Sequence, residues 1–61
     1  MVTRQELLDV AASAMRRGLE LDHEGADPSH PDYERVLSAE HAASAAGITL
    51  AEIYVAATQP Q

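Results

Sequence analysis

The sequence predicts an all-α protein of three helices, at about residues 3–22, 31–46 and 49–58. Three observations predict it. Apolar residues recur at helical spacing, and no segment shows the period of two that marks a strand. The first and third segments open on capping boxes, Thr3–Glu6 and Thr49–Glu52, in which a hydroxyl and a carboxylate each satisfy an amide at the helix start. Glycine and proline punctuate the ends, at Gly25, Pro28, Pro31 and Gly47.

Helix 1 begins at Thr3 and runs to Leu21 or Asp22. At about 100° per residue, Leu8, Ala11, Ala12, Met15 and Leu19 form the centre of an apolar stripe. Leu7, Ala14, Gly18 and Leu21 widen it, and Glu6, Asp9, Ser13, Arg16, Arg17 and Glu20 share the other side. Gly18 weakens the helix by roughly 1 kcal/mol relative to alanine, but admits a close neighbour. Gly25 suits the left-handed residue that ends a helix. The linker His23–Pro31 then holds Asp27 and His30 extended, because each precedes a proline. A short turn of helix within it is the competing reading.

Pro31 suits the first position of helix 2, with Ser29 or His30 as its cap. Asp32 and Glu34 favour the positive end of the helix dipole. Tyr33, Val36, Leu37 and Ala43 make the apolar face, and Glu40 falls in its middle. Rotating the helix to bring Ala39 and Ala43 inward moves Glu40 to the edge. If buried, its charge requires a partner among Arg16, Arg17 and His41. Gly47 stops helix 2, and Thr49 opens helix 3. Two long helices joined by this linker most simply form an antiparallel hairpin.

The totals narrow the function. A chain of 61 residues is one domain at most. It buries only about 60% of its unfolded surface, and domains this small usually need a staple or a partner. Cysteine is lacking, so no disulfide or thiolate zinc site is available, and a reducing compartment is the default. No apolar run reaches membrane-spanning length, and the opening MVTRQELLDV does not read as a secretory leader. A soluble cytoplasmic protein is expected. Ten acids outweigh four arginines for a formal net charge of -6, which repels phosphate backbones and gives no hold on an anionic membrane.

Helix 3 is the anomaly. Leu50, Ile53, Tyr54 and Ala57 face one way, towards the hairpin, and Ala51 and Val55 the other, with Glu52 the only charge. A helix that is apolar nearly all round is normally buried nearly all round, and two helices cannot surround a third. A second copy of the chain is the simplest cover, since two-fold dimers are the commonest oligomers. A different protein is the next.

The stretch AASAAGITLAEIY resembles a generic helix-turn-helix in spacing: Ala43 is the small residue, Gly47 the turn glycine, and Ile48 and Ile53 the buried positions. The resemblance covers residues 39–58 and implies a helical corner. As a DNA-binding regulator it would present Thr49, Leu50, Ala51, Tyr54, Val55 and Thr58 to the groove. None of these is an Arg, Lys, Asn or Gln, the side chains that mainly read base edges. The only basic cluster, Arg16-Arg17, lies on helix 1, whereas affinity for DNA needs clustered cations. A packing corner fits these residues better.

Catalytic chemistry finds one candidate. Glu20 and His23 form a Glu-x-x-His pair, the signature of di-metal carboxylate bundles, and Glu40 in a dimer would complete the set. Glu20, however, lies on the polar side of helix 1 and His23 at or past its end, so two solvated residues are the simpler account. Serines 13, 29, 38 and 44 lack a nucleophile-elbow setting, and no glycine-rich phosphate loop is present. No enzyme activity, cofactor or metal is expected. The sequence points to a small acidic regulator that binds a protein, itself or a basic partner, with Ile53, Tyr54 and Val55 as anchors and Leu50 beside them.

Overall fold

A computed structural model describes residues 2–59. It contains α1 (Arg4–Glu24), α2 (Pro31–Ala45) and α3 (Leu50–Thr58), and no strand among the described residues. The hydroxyls of Thr3 and Thr49 cap α1 and α3, accepting from the amides of Glu6 and Glu52 at 3.1 Å. α2 takes the cap from His30, whose Nδ1 accepts from the Asp32 amide at 3.1 Å. That bond uses the lone pair of Nδ1.

α1 and α2 end alike. Gly25 and Gly47 adopt φ of 72° and 82°, a left-handed conformation that costs a side chain but not glycine. Past each glycine the chain folds back: the Ala26 amide reaches the Leu21 carbonyl at 2.9 Å, and the Ile48 amide reaches Ala43 at 3.0 Å. This termination brings an apolar residue beyond the glycine against one in the last turn. At the second corner that pair, Ile48 and Ala43, is part of the core.

The linker is a turn and not a piece of helix. The His30 amide bonds the Asp27 carbonyl at 2.9 Å. The Asp27 carboxylate accepts from the Ser29 amide at 2.8 Å and its hydroxyl at 2.7 Å, which holds that carboxyl below its usual range.

α1 packs against both other helices, while α2 and α3 touch only weakly. Arg4 near the start of α1 meets Glu52 near the start of α3, and Arg16 meets the end of α3. α3 therefore runs parallel to α1, and α2 runs back between them in sequence. The hairpin is the expected one. With one of its three helix pairs nearly open, the bundle is flat, 33 × 24 × 17 Å.

The core sits at the second corner. Ala11, Ala43, Ile48 and Ile53 are buried together, with Leu7, Leu8 and Met15 packed against them. Further along the hairpin Gly18 faces Val36, so closely that a Cβ there would lie 3.4 Å from a Val36 methyl. The expected faces shift by a fraction of a turn. Leu19, placed at the centre of the α1 stripe, is exposed. α3 is only nine residues long, and Arg16 already meets its last turn, so the side of α1 that it covers is uncovered from there on. Leu37, placed inward, is also exposed, because α2 turns Val36 and Ala43 to α1.

Candidate interaction surface on the third helix

α3 is fastened at both ends by arginines of α1. The Arg4 guanidinium donates to the Glu52 carboxylate at 2.7 Å, and this bond chiefly holds the Glu52 carboxyl below its usual range. At the other end Arg16 donates through Nε to the Ala57 carbonyl at 3.0 Å and through a terminal nitrogen to Ala56 at 3.2 Å. Carbonyls in the last turn of a helix lack partners along it, and a cation there meets the negative end of the dipole. Ile53, fully buried, and Ala57 form the inner face between these clasps.

This placement corrects two expectations. Ile53 was an anchor for a partner; at 0% exposure it is a core residue and has no surface to offer. Leu50 and Tyr54 were expected to pack onto the hairpin; they are 61% and 54% exposed. The turn of α3 towards α1 is set by Ile53 and Ala57, and α2, which touches α3 only weakly, leaves Leu50 and Tyr54 exposed.

The outer face is therefore broader than the sequence suggests. Val55 is 53% exposed, and Ala51 and Thr58 are exposed with it. Ala51, Tyr54, Val55 and Thr58 follow the spacing i, i+3, i+4, i+7 that lines up one helix face. Beside Val55 runs a groove floored by Leu8, Ala56 and Ala51, with Glu52 and Gln59 at its rim. On the opposite flank Leu50 borders a smaller hollow with Glu40, His41 and Ser44. Glu52, the one charge on α3, is turned to the α1 side and engaged by Arg4.

The ion pairs elsewhere centre on Asp32 and Arg17. Asp32 accepts from Arg17 Nε at 3.0 Å, and Arg35 and His30 lie within 4.0 Å of its carboxylate. The Arg17 bond is the main reason that the Asp32 carboxyl lies below its usual range and the Arg17 guanidinium above its own. The Tyr33 hydroxyl donates to Asp22 at 2.7 Å, which raises the phenol.

The metal candidates are not brought together within one chain. Glu20 pairs with Arg17 at 3.2 Å, His23 is exposed in the last turn of α1, and Glu40 lies towards the opposite end of the hairpin, beside Leu50. Among the described residues no three His, Asp or Glu side chains are grouped as a metal site. Glu40 itself is half-buried at the edge of α2; Arg16 and Arg17, named as partners, are engaged elsewhere.

No family model, curated protein or solved structure matches the chain. Its surface is then the only guide to what it does. Among the described residues no helix is long and apolar enough to cross a membrane. The corner that resembles a helix-turn-helix is built as its spacing requires, with Ala43, Ile48 and Ile53 in one buried cluster and Gly47 left-handed. That is a statement about packing, since a shape of this kind serves many functions. The arginine clasps are what sequence reasoning missed. Arg16 reads as one more residue of a polar face, and nothing local signals that a helix forty residues on ends against it.

Proposed function

We propose that this protein is a small acidic binding module, a regulator or adaptor without catalysis of its own, that works by burying the outer face of α3 against another protein. The observation that carries the reading is the joint exposure of Leu50, Tyr54 and Val55 on a helix whose single charge is turned aside and paired. Contiguous apolar patches on small proteins mark interaction sites, and a tyrosine offers a rigid contact area with a polar tip. Leu50, Tyr54 and Val55 are the proposed contact residues, and the lack of cysteine favours a reducing, cytoplasmic location.

A DNA-binding role finds less support. The side of α3 that would enter a groove carries Leu50, Ala51, Tyr54, Val55 and Thr58, with no cation or amide to read bases. Arg4, Arg16 and Arg17 are all committed to intramolecular bonds.

Site-specific photo-cross-linking in the native cell tests the reading. A photoreactive residue in place of Val55 should yield protein adducts, and the same residue in place of the exposed Glu34 on α2 should not. Adducts lacking at Val55, or equally abundant at both positions, would overturn it.

A further inference from the structure

We propose that the open groove at the linker end of the hairpin binds a basic segment of another protein, taking an apolar side chain against Pro28, Val36 and Leu37 and an arginine on Asp22 beside Tyr33. This site lies apart from the outer face of α3 and does not depend on it.

The groove exists because α3 is short. α3 ends where Arg16 meets its last turn, and past that level the hairpin of α1 and α2 has no third helix over it. Leu19 and Leu37 are left exposed there. Asp22, Ala26, Pro28, Tyr33, Val36 and Leu37 line an open cleft of about 500 Å³, within the range of about 300–1,000 Å³ usual for ligand sites. Its end wall is set before anything binds. The Ala26 amide is tied back to Leu21, the His30 amide to Asp27, and the Asp27 carboxylate to Ser29, so little ordering is left to oppose association.

The polar atoms of the cleft call for a cation. Its polar side chains are Asp22 and Tyr33, set among apolar neighbours. The Tyr33 hydroxyl donates to Asp22 Oδ1 at 2.7 Å, and Oδ2 has no hydrogen-bond partner among the described residues. Asp22 differs in this from Glu20, Asp32 and Glu52, each of which holds an arginine of its own chain within 3.2 Å. No arginine of the chain competes for the site. Arg17 is five residues from Asp22, about 140° around α1, and bonds Asp32 and Glu20. Arg35 lines a different groove, with Val10 and Pro31. An incoming guanidinium can pair with Oδ2 and lie against the tyrosine ring, and its planar shape suits both contacts. The whole chain agrees in sign. At a net charge of -6 it draws a basic partner and repels its own copy, and Glu24 and Asp27, exposed at the same end, add to that field.

An NMR titration of the labelled protein with the capped peptide acetyl-Ala-Leu-Arg-Leu-Ala-amide tests this. Amide shifts should gather at Ala26, Tyr33, Val36 and Leu37. The same peptide with glutamate for arginine, or with serine for both leucines, should bind about tenfold more weakly. Asp22→Asn can still accept from Tyr33 but carries no charge. It should weaken the arginine peptide about threefold to fivefold, the contribution of one partly exposed ion pair. Leu37→Ser changes an exposed side chain and should weaken binding at a wild-type helix content by circular dichroism. No shifts at these four residues up to millimolar peptide, equal binding of the arginine and glutamate peptides, or an Asp22→Asn or Leu37→Ser variant that binds as the wild type does would each overturn the proposal. Shifts confined to Leu50, Tyr54 and Val55 would move the basic segment to α3 and overturn it too.

Discussion

Ile53 and Val55 stand two residues apart on the same helix and differ by one methylene, yet Ile53 is 0% exposed and Val55 53%. Ile53 touches the corner formed by Ala11, Ala43 and Ile48, and Val55 faces out over a groove. The comparison separates two uses of hydrophobicity in one short helix. The inner face holds the fold, and the outer face is open. The fold is also economical with large side chains: apart from Leu21, Ile48, Ile53 and Val36, its buried apolar residues are alanines, while Leu19, Leu37, Leu50, Tyr54 and Val55 stay outside.

The largest expected effect breaks this comparison from the inside. Ile53→Ala removes buried methylenes and leaves a cavity, a change that typically costs about 2–5 kcal/mol. A domain this small has little stability to spare, so the variant should be largely unfolded at 25 °C by circular dichroism. Val55→Ala, measured on dilute protein, should move the unfolding free energy by less than about 0.5 kcal/mol. Equal losses at the two positions would mean that both faces of α3 are buried in the folded unit.

Arg16 sharpens the comparison, because it holds the inner face in place without being apolar. Arg16→Ala removes two charge-assisted bonds to carbonyls of the last turn of α3. Bonds of this kind contribute about 1.5–3 kcal/mol each when well buried; this side chain is only part-buried, so a loss of about 1–2 kcal/mol in denaturant unfolding is expected. Hydrogen exchange should accelerate more in α3 than in α2. Uniform acceleration would show that Arg16 supports the whole bundle instead.

The elements and their ends were legible in the sequence because they depend on local chemistry. Thr3, Thr49, Gly25 and Gly47 act within a few residues, and each does what its type and position demand. The partition of apolar residues between inside and outside was not legible. Leu37 and Val36 are neighbours of similar hydrophobicity, and only the azimuth at which α2 meets α1 decides which is buried. Likewise Leu19 fits the stripe of α1, but the length and placement of α3 leave it bare. The candidate surface was half legible: the excess of apolar residues on α3 is plain, but its division into Ile53 within and Leu50, Tyr54 and Val55 without depends on long-range packing.

Acid should distinguish the two helix pairs of the bundle. Asp32 ties α2 to α1 through Arg17, and Glu52 ties α3 to α1 through Arg4. Both carboxyls lie below their usual values when folded. Their contribution is therefore complete above the unfolded values near pH 4 and is lost as pH falls through the lower folded values. Melting temperature should be flat from pH 7 to about 5 and fall below about 4. Asp32→Asn should flatten that fall more than Glu52→Gln, because the Asp32 side chain is 24% exposed and that of Glu52 40%. The reverse order would place the stronger pair on α3.

The smallest effect is expected at Glu40, on the flank of α2 that looks across to Leu50. On the sequence alone it sits in the middle of an apolar face, where an unpaired carboxylate costs several kcal/mol. In the fold it lies half-buried at an edge, open enough to keep its water. Glu40→Ala removes no ion pair with the arginines of α1, which are already engaged by Asp32, Glu20 and the end of α3. It also replaces a good helix former by a slightly better one. The unfolding free energy should change by less than about 0.5 kcal/mol. A gain beyond that would mean that the carboxylate is strained against Leu50, and a loss of several kcal/mol would mean that α2 is turned further inward than Val36 and Ala43 place it. Either result would move the boundary between the inner and outer faces, which is the distinction that Ile53 and Val55 draw on α3.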